Sequence, residues 1–453
     1  MTNHDTKTFS LLMRAFFLFM ISVFVHGPVL AGTIMKSSEK DWDIYHCMDY
    51  ALENNPGIKA ALENIKIVEG ANDVLKSEFI PKLSAGYAAL KNNYSSPLVY
   101  TREQKEKMPP SQYSDEVYTA SVSLSDTLYS KKMSPTFSMV NINLEMARSK
   151  VRQAKNDLIL QVKKAFYTVL FTQQTYKISR AAESVAKDNH ETSQALFKEG
   201  KVSSFDVSRA KVRWISARAD SLSAKNSNIV ALEALKTLLS IPQDEHFEIT
   251  GSFPIELKEQ HLDQSIKESL EFRPELEQMT LVQRLKKDSL EIARSGYFPS
   301  VNASLNYAFS SPDMDVNFPS QYDSWSATLS VSIPIFDGFQ TRGRLKTARS
   351  ELNQADLNRE ALEDAVLMEV RQAYFTLKNT KESLSAQKES VSIAKENLKI
   401  AKERYSMGLL SLLELKDVEL SLIAAETQYV KTLYDYNTAF VGLERAVGLP
   451  YRS

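Results

Sequence analysis

His46, His190, His246 and His261 are the candidate metal ligands and general bases of the chain beyond its leader, and none has a partner at ligand spacing. Cys47 is the only cysteine, so neither an internal disulfide nor a zinc cluster of several cysteines can form. Its neighbours give it two readings, a small core hydrophobe or a reactive thiol, and only His46 beside it favours the second. Gly338 to Gly343, followed by Arg344 and Leu345, has the glycines of a phosphate loop without its Lys and Ser or Thr. That stretch reads as a flexible joint between a strand and a helix. No Gly-x-Ser-x-Gly or His-Glu-x-x-His motif occurs. The methionines are scattered, which gives metal export no support. No cofactor is expected, and the chain does not read as an enzyme.

What the residues do offer is rows of small, uncharged polar groups. Asn302, Ser304 and Asn306 alternate with Val301, Ala303, Leu305, Tyr307 and Phe309. Ser326, Thr328, Ser330 and Ser332 alternate with Trp325, Ala327, Leu329, Val331 and Ile333. A period of two means a strand with one wet and one apolar face. Thr119, Ser121, Ser123 and Ser125 repeat the pattern against Ala120, Val122 and Leu124, and Leu83, Ala85, Tyr87 and Ala89 repeat it more weakly. About nine residues suffice for a tilted strand to cross a bilayer, and Ser, Thr and Asn suit a wet barrel interior. An ordinary soluble sheet with one wet face reads the same way on strands alone. Tyr87, Tyr307, Tyr322 and Trp325 could form an interfacial belt or simply pack.

The elements around these strands are unusual. From Leu345, apolar or small residues recur, mostly at steps of three and four, through Ala348, Leu352, Ala355, Leu362, Val366, Val370, Ala373, Leu377, Thr380, Leu384, Val391, Ala394, Leu398 and Ala401 to Tyr405. No proline or glycine falls between Gly343 and Gly408. The pattern predicts a rod of about 60 residues, about 90 Å long. Leu144, Ala147, Val151, Ala154, Leu158, Val162, Ala165 and Val169 open a matching rod that runs to Phe197. Each rod stops at a glycine, Gly200 or Gly408, which permits the left-handed turn of a helical hairpin. Ser203 or Ser204, and Ser411, are candidate caps for shorter return helices near 205–240 and 411–447.

These matches amount to an internal duplication. Asn55-Pro56 to Pro81 corresponds to Arg273-Pro274 to Pro299 at an offset of 218, and Gly200 and Pro242 correspond to Gly408 and Pro450 at 208. The first copy therefore carries a longer loop between its strands. Residues 32–242 and 263–453 form the two repeats, joined by a linker at 243–262. Residues 1–31 read as a secretory signal, with Lys7 and Arg14 ahead of the apolar run Ala15 to Val25 and a cut expected after Ala31. Gly32 stands where a lipid-anchored protein would have Cys. With 55 basic and 56 acidic residues, the net charge of −1 argues against a nucleic-acid surface. No later stretch predicts a transmembrane helix, so integral contact with a membrane falls to the strands. Four strands leave two open edges in lipid, so such a sheet must assemble; two chains would give eight strands and three would give twelve.

Asn54-Asn55-Pro56, Phe79-Ile80-Pro81, Tyr297-Phe298-Pro299, Gly448-Leu449-Pro450 and above all Ser330-Val331-Ser332-Ile333-Pro334-Ile335-Phe336-Asp337-Gly338 resemble the TolC-like outer-membrane efflux protein family, over residues 42–450. The resemblance implies a mainly α fold with membrane β: a homotrimer, one twelve-stranded barrel in outer-membrane lipid, and a long helical tube in the periplasm. It implies export of small molecules or polypeptides with a periplasmic adaptor and an inner-membrane transporter as partners. It makes the tips at Gly200 and Gly408 the adaptor contacts. It makes Tyr405 and Asp206 a gate pair, and Glu414 and Asp417 inward acids that threefold symmetry turns into cation-favouring rings. Leu410 departs from the family, which often has a basic residue there. The rival reading is a periplasmic or surface coiled-coil scaffold that conducts nothing.

Overall fold

The computed structural model describes residues 42–91, 101–112, 114–254, 260–312 and 323–448. The expected signal and its cut after Ala31, Tyr322, and Leu449-Pro450 lie outside the described residues.

Two short helices open the first repeat, α1 (Ile44–Asn54) and α2 (Pro56–Lys76). They meet at Asn55, whose extended backbone suits a residue before proline, while Pro56 starts the new helix with no N–H to lose. A short 3₁₀ turn leads into β1 (Lys82–Lys91), followed by α3 (Arg102–Glu106) and β2 (Glu116–Ser130). Then come the rod α4 (Met133–Lys198) and its return helix α5 (Ser204–Leu239). The second repeat runs α6 (Leu262–Phe272), α7 (Pro274–Ser295), β3 (Ser300–Ser311), β4 (Asp323–Ser332), rod α8 (Gln340–Ser406) and return helix α9 (Leu412–Val447). Helix α3 falls in the longer loop of the first copy.

The rods hold 66 and 67 residues, about 100 Å each. Along α8 the buried positions include Ala348, Ala355, Val366, Val370, Leu377, Leu384, Ala394 and Ala401, mostly about two turns apart, with expected positions such as Leu352, Leu362 and Leu398 between them only partly buried. Each rod packs along its own return helix. The core lies where the short helices clasp the rods at mid-length. Met48 of α1, Val162 and Val169 of α4, and Leu235 and Leu239 of α5 are fully enclosed there, with Tyr436, Leu443 and Val447 of α9 beside them. Cys47 is part of this core, and burial pushes its thiol up to about 12. It packs as a hydrophobe rather than presenting a thiolate.

Both repeats use one device to tie a short helix to a return helix. In the first, Asn55 Nδ2 donates to the Leu238 carbonyl at 3.0 Å. In the second, Arg273 Nε donates to the Ala446 carbonyl at 2.9 Å. Each return helix then ends on a left-handed residue, Ser240 at φ 60° and Gly448 at φ 78°. The longer reach of Arg273 also brings it 2.6 Å from Glu369 on α8. Nearby, Arg445 meets Glu275 at 2.7 Å, Asp157 at 3.5 Å and Glu369 at 3.6 Å, and Lys163 meets Glu444 at 2.7 Å. Charges from α4, α7, α8 and α9 thus converge where the repeats join.

The strands form one antiparallel sheet in the order β1-β2-β3-β4. All four strand ends that join helices lie at the same end of the sheet, because β1 and β3 leave helices and β2 and β4 enter the rods.

Candidate functional site

At the rod tips the helices reverse over a few residues. Gly200 has φ 72° and Gly408 φ 73°, conformations that glycine adopts without the Cβ penalty. The Lys201 N–H bonds the Leu196 carbonyl and the Leu409 N–H bonds the Arg404 carbonyl, both at 2.9 Å, closing the spent helix ends. The next helices open with reciprocal caps. Ser203 Oγ accepts from the Asp206 N–H at 3.2 Å while Asp206 Oδ2 accepts from the Ser203 N–H at 3.2 Å. Ser411 and Glu414 do the same at 3.2 and 2.9 Å. The pattern Ser-x-x-Asp/Glu carries this signal in the sequence, so the capping role of the two acids, which the gate assignment passes over, was open to reading.

The caps shift both acids. The Ser203 hydroxyl, then its backbone N–H, holds Asp206 below its ordinary value; the Ser411 N–H, then its hydroxyl, does so for Glu414. Both carboxylates therefore stay charged at neutral pH. Glu414 and Asp417 are exposed on the first turns of α9. Asp417 lines a cleft of about 870 Å³ between α8 and α9 with Arg404 and Leu410. Arg404 places a cation near the departure at Leu410. Asp206 instead lines a groove of about 700 Å³ that α4 and α5 form with α9, shared with Arg209 and Lys416. Tyr405 is 39% exposed on α8, and among the described residues no hydrogen bond joins it to Asp206 within the chain. Asp206 is occupied by Ser203 and, at 3.4 Å, by Arg209. Among the described residues no group of three His, Cys, Asp or Glu could hold a metal, and no helix is long and apolar enough to cross a membrane.

The sheet has two distinct faces. Register aligns Ser84, Ser123, Asn306 and Ser326 in one row, and Leu83, Leu124, Leu305 and Ala327 in the next. Ser84 and Ser123 hydroxyls meet at 2.7 Å, Thr119 and Ser310 at 3.2 Å, and Thr127 donates to Asn302 at 3.1 Å. Pairing across strands leaves this face polar, with Lys82 its one charged residue, level with Ser125, Ser304 and Thr328 at the rod end. The opposite face exposes Leu83, Tyr87, Trp325, Leu329 and Val331. Asp126, level with Ala303 and Leu329, and Lys91, Glu116 and Asp323 at the far end are its charged members, and so large an apolar area between them needs lipid or a partner to cover it. The edges β1 and β4 carry unpaired backbone groups within the chain.

The outer membrane efflux protein family matches residues 48–240 and 265–449. The chain is 21% identical over 417 residues to the alkaline protease secretion protein AprF of Pseudomonas aeruginosa, covering 90% of this chain and 84% of that one. It is 22% identical to a probable efflux pump outer membrane protein, TtgC of Pseudomonas putida, over 94% of this chain and 84% of that one. Among solved structures, the outer membrane protein VceC of Vibrio cholerae superposes with a TM-score of 0.76 at 19% identity, covering 89% of this chain and 96% of that one.

Proposed function

The chain belongs to the outer membrane efflux protein family, and from that premise we propose that three copies close into the exit duct of a tripartite export system. The family consists of outer-membrane channels rather than enzymes, and this chain is an outer-membrane channel protein with its helices in the periplasm. The observation that carries the assembly is the sheet itself. Its apolar face is open and both its edges are unpaired, so in lipid it must close with other copies of itself. Exposed apolar residues on the return helix α5, Phe205, Val212, Ile215 and Leu222 among them, support side-by-side packing of copies in the periplasmic part as well.

In this reading the hairpin tips at Gly200 and Gly408 face a periplasmic adaptor. Tyr405 of one copy and Asp206 of another restrain the entrance. Glu414 and Asp417 present rings of negative charge there and favour cations. The absence of a basic residue at Leu410 leaves Tyr405 and Asp206 as the main restraint. AprF is named for protease secretion and TtgC for an efflux pump, so the inner-membrane partner decides the cargo class.

The test is a cross-linked pull-down of the intact protein from cell envelopes, with partners identified by mass spectrometry. An adaptor with a proton-driven pump supports small-molecule efflux. An adaptor with an ATP-driven transporter supports protein secretion or ATP-driven efflux. Absence of any inner-membrane partner, from envelopes in which known complexes survive, contradicts the tripartite reading.

A further inference from the structure

We infer that the junction between sheet and rods is a binding collar for anionic phospholipid in the periplasm-facing leaflet. The inference rests on the outer-membrane reading above.

The two rods begin at this end with cations, which the helix dipole disfavours. Residues 340–349, the first ten of α8, include Arg342, Arg344, Lys346 and Arg349 and no acid. Rod α4 follows directly on Lys131 and Lys132, and it too has no acid in its first turn. Cations at a helix N-terminus oppose the macrodipole. The helices that begin at the opposite end of the rods, α5 and α9, start with Asp206 and Glu414, as the dipole favours. The two rod starts thus carry cations where the dipole disfavours them, with Asp337 the one carboxylate that caps α8, whereas α2 and α7 reach the sheet with Lys76 and Arg294 in their last turns, as the dipole favours. A partner with negative charge at the sheet end would offset that cost.

Aromatic and apolar residues surround the same cations. Lys131 lies 5.8 Å from the Phe298 ring centre, Lys132 5.6 Å from Phe79, and Arg342 6.0 Å from Phe339. Ile335, Phe336 and Tyr297 stand exposed among them, with Ile335 98% open. Cations above apolar groups, at the end of membrane-length strands, match the boundary between acyl chains and headgroups. Two acids at this end are already engaged. Glu78 pairs with Lys132 at 2.9 Å, and Asp337 accepts from the Thr341 N–H at 2.8 Å. Asp126, also here, is half-buried in β2. No ion pair engages Lys131, Arg342 or Arg344 among the described residues, so their charge is left for a phosphate outside the chain.

The test uses the full chain reconstituted in vesicles of three parts phosphatidylcholine to one part phosphatidylglycerol. It is then extracted in mild detergent and its co-purifying lipids are counted by mass spectrometry. Wild-type protein is expected to carry phosphatidylglycerol well above the vesicle ratio, and to lose the excess at about 1 M salt, where screening is short-ranged. The variant K131Q/R342Q/R344Q is expected to fall toward the vesicle ratio, about fivefold for each charge removed. A control, K388Q/K399Q/K402Q on the distant half of α8, should keep the wild-type ratio. Wild-type protein at the vesicle ratio overturns the collar, as does a folded triple variant with undiminished enrichment. So does an enrichment indifferent to salt, which reads the wild type alone. Flotation of the vesicles reports separately on insertion, and failure to insert would defeat the membrane reading and the collar together.

Discussion

Asp206 and Glu414 each hold two positions at once, a helix cap and a charge at the channel tip. Their depressed values fix the sign of one pH effect. A carboxyl lowered by folding adds stability above its unfolded value and loses it as pH falls through the folded one. The protection factors of amides at 203–207 and 411–415, measured against the intrinsic exchange rate at each pH, should therefore fall as pH drops below about 4. Glu414→Gln separates the two roles, because glutamine can still close the cap while the ring charge is gone. Cation preference should fall while helicity holds. Asp157 behaves oppositely. Burial raises its carboxyl despite Arg445 at 3.5 Å, so folding is penalised as pH rises through that raised value. Asp157→Asn should leave the thermal midpoint unchanged or higher. Glu275→Ala, which strips Arg445 of its 2.7 Å partner, should cost about 2 kcal/mol, between the figures for exposed and buried pairs.

Elements were legible where a period repeats. Alternation placed β3 and β4, and steps of three and four traced α8 through a stripe in which Ala348, Ala355, Val366, Val370, Leu377, Leu384, Ala394 and Ala401 are buried while Leu352, Leu362, Thr380, Val391 and Leu398 are only partly so. Strand β2 runs on to Ser130, beyond the Ser125 where its alternation fades: Asp126 puts an acid at an apolar-face position, and a bulge between Thr127 and Tyr129 then shifts the register. The charged junction was invisible for a different reason. Arg273 was visible only as the residue before a proline, and its partners Glu369 and Ala446 lie 96 and 173 residues away in sequence. Site residues divide the same way: the caps are local and readable, whereas a contact between Tyr405 and Asp206 would lie between copies. One element-level prediction follows from the paired helix ends. A Cβ on Gly448 would stand 2.9 Å from the Arg273 nitrogen, while one on Gly408 meets nothing. Both glycines have positive φ, so each alanine costs about 1–2 kcal/mol. Gly448→Ala should exceed that range in a thermal melt and Gly408→Ala should not. Ser240 tolerates the same turn in the first copy, where Asn55 replaces Arg273.

At the scale of the whole molecule, one chain is an unfinished object. Its sheet has a lipid-compatible face, a polar face and two free edges; its return helices expose apolar residues; its rods reach about 100 Å from the sheet. In the proposed trimer, closure pairs the sheet edges and covers the helix flanks, while lipid covers the apolar face. A charge placed on the packing face, Val212→Glu with Ile215→Glu, should leave helicity intact and shift the solution mass from three chains to one, as light scattering in detergent would show. The most direct test of the channel itself is single-channel recording in planar bilayers with the purified, correctly assembled wild type and the variant Tyr405→Phe/Asp206→Ala. The account predicts discrete, cation-preferring steps from the wild type and larger ones from the variant. Equal steps would contradict the gate at Tyr405 and Asp206, and a folded, inserted oligomer that passes no current in either form would contradict the channel.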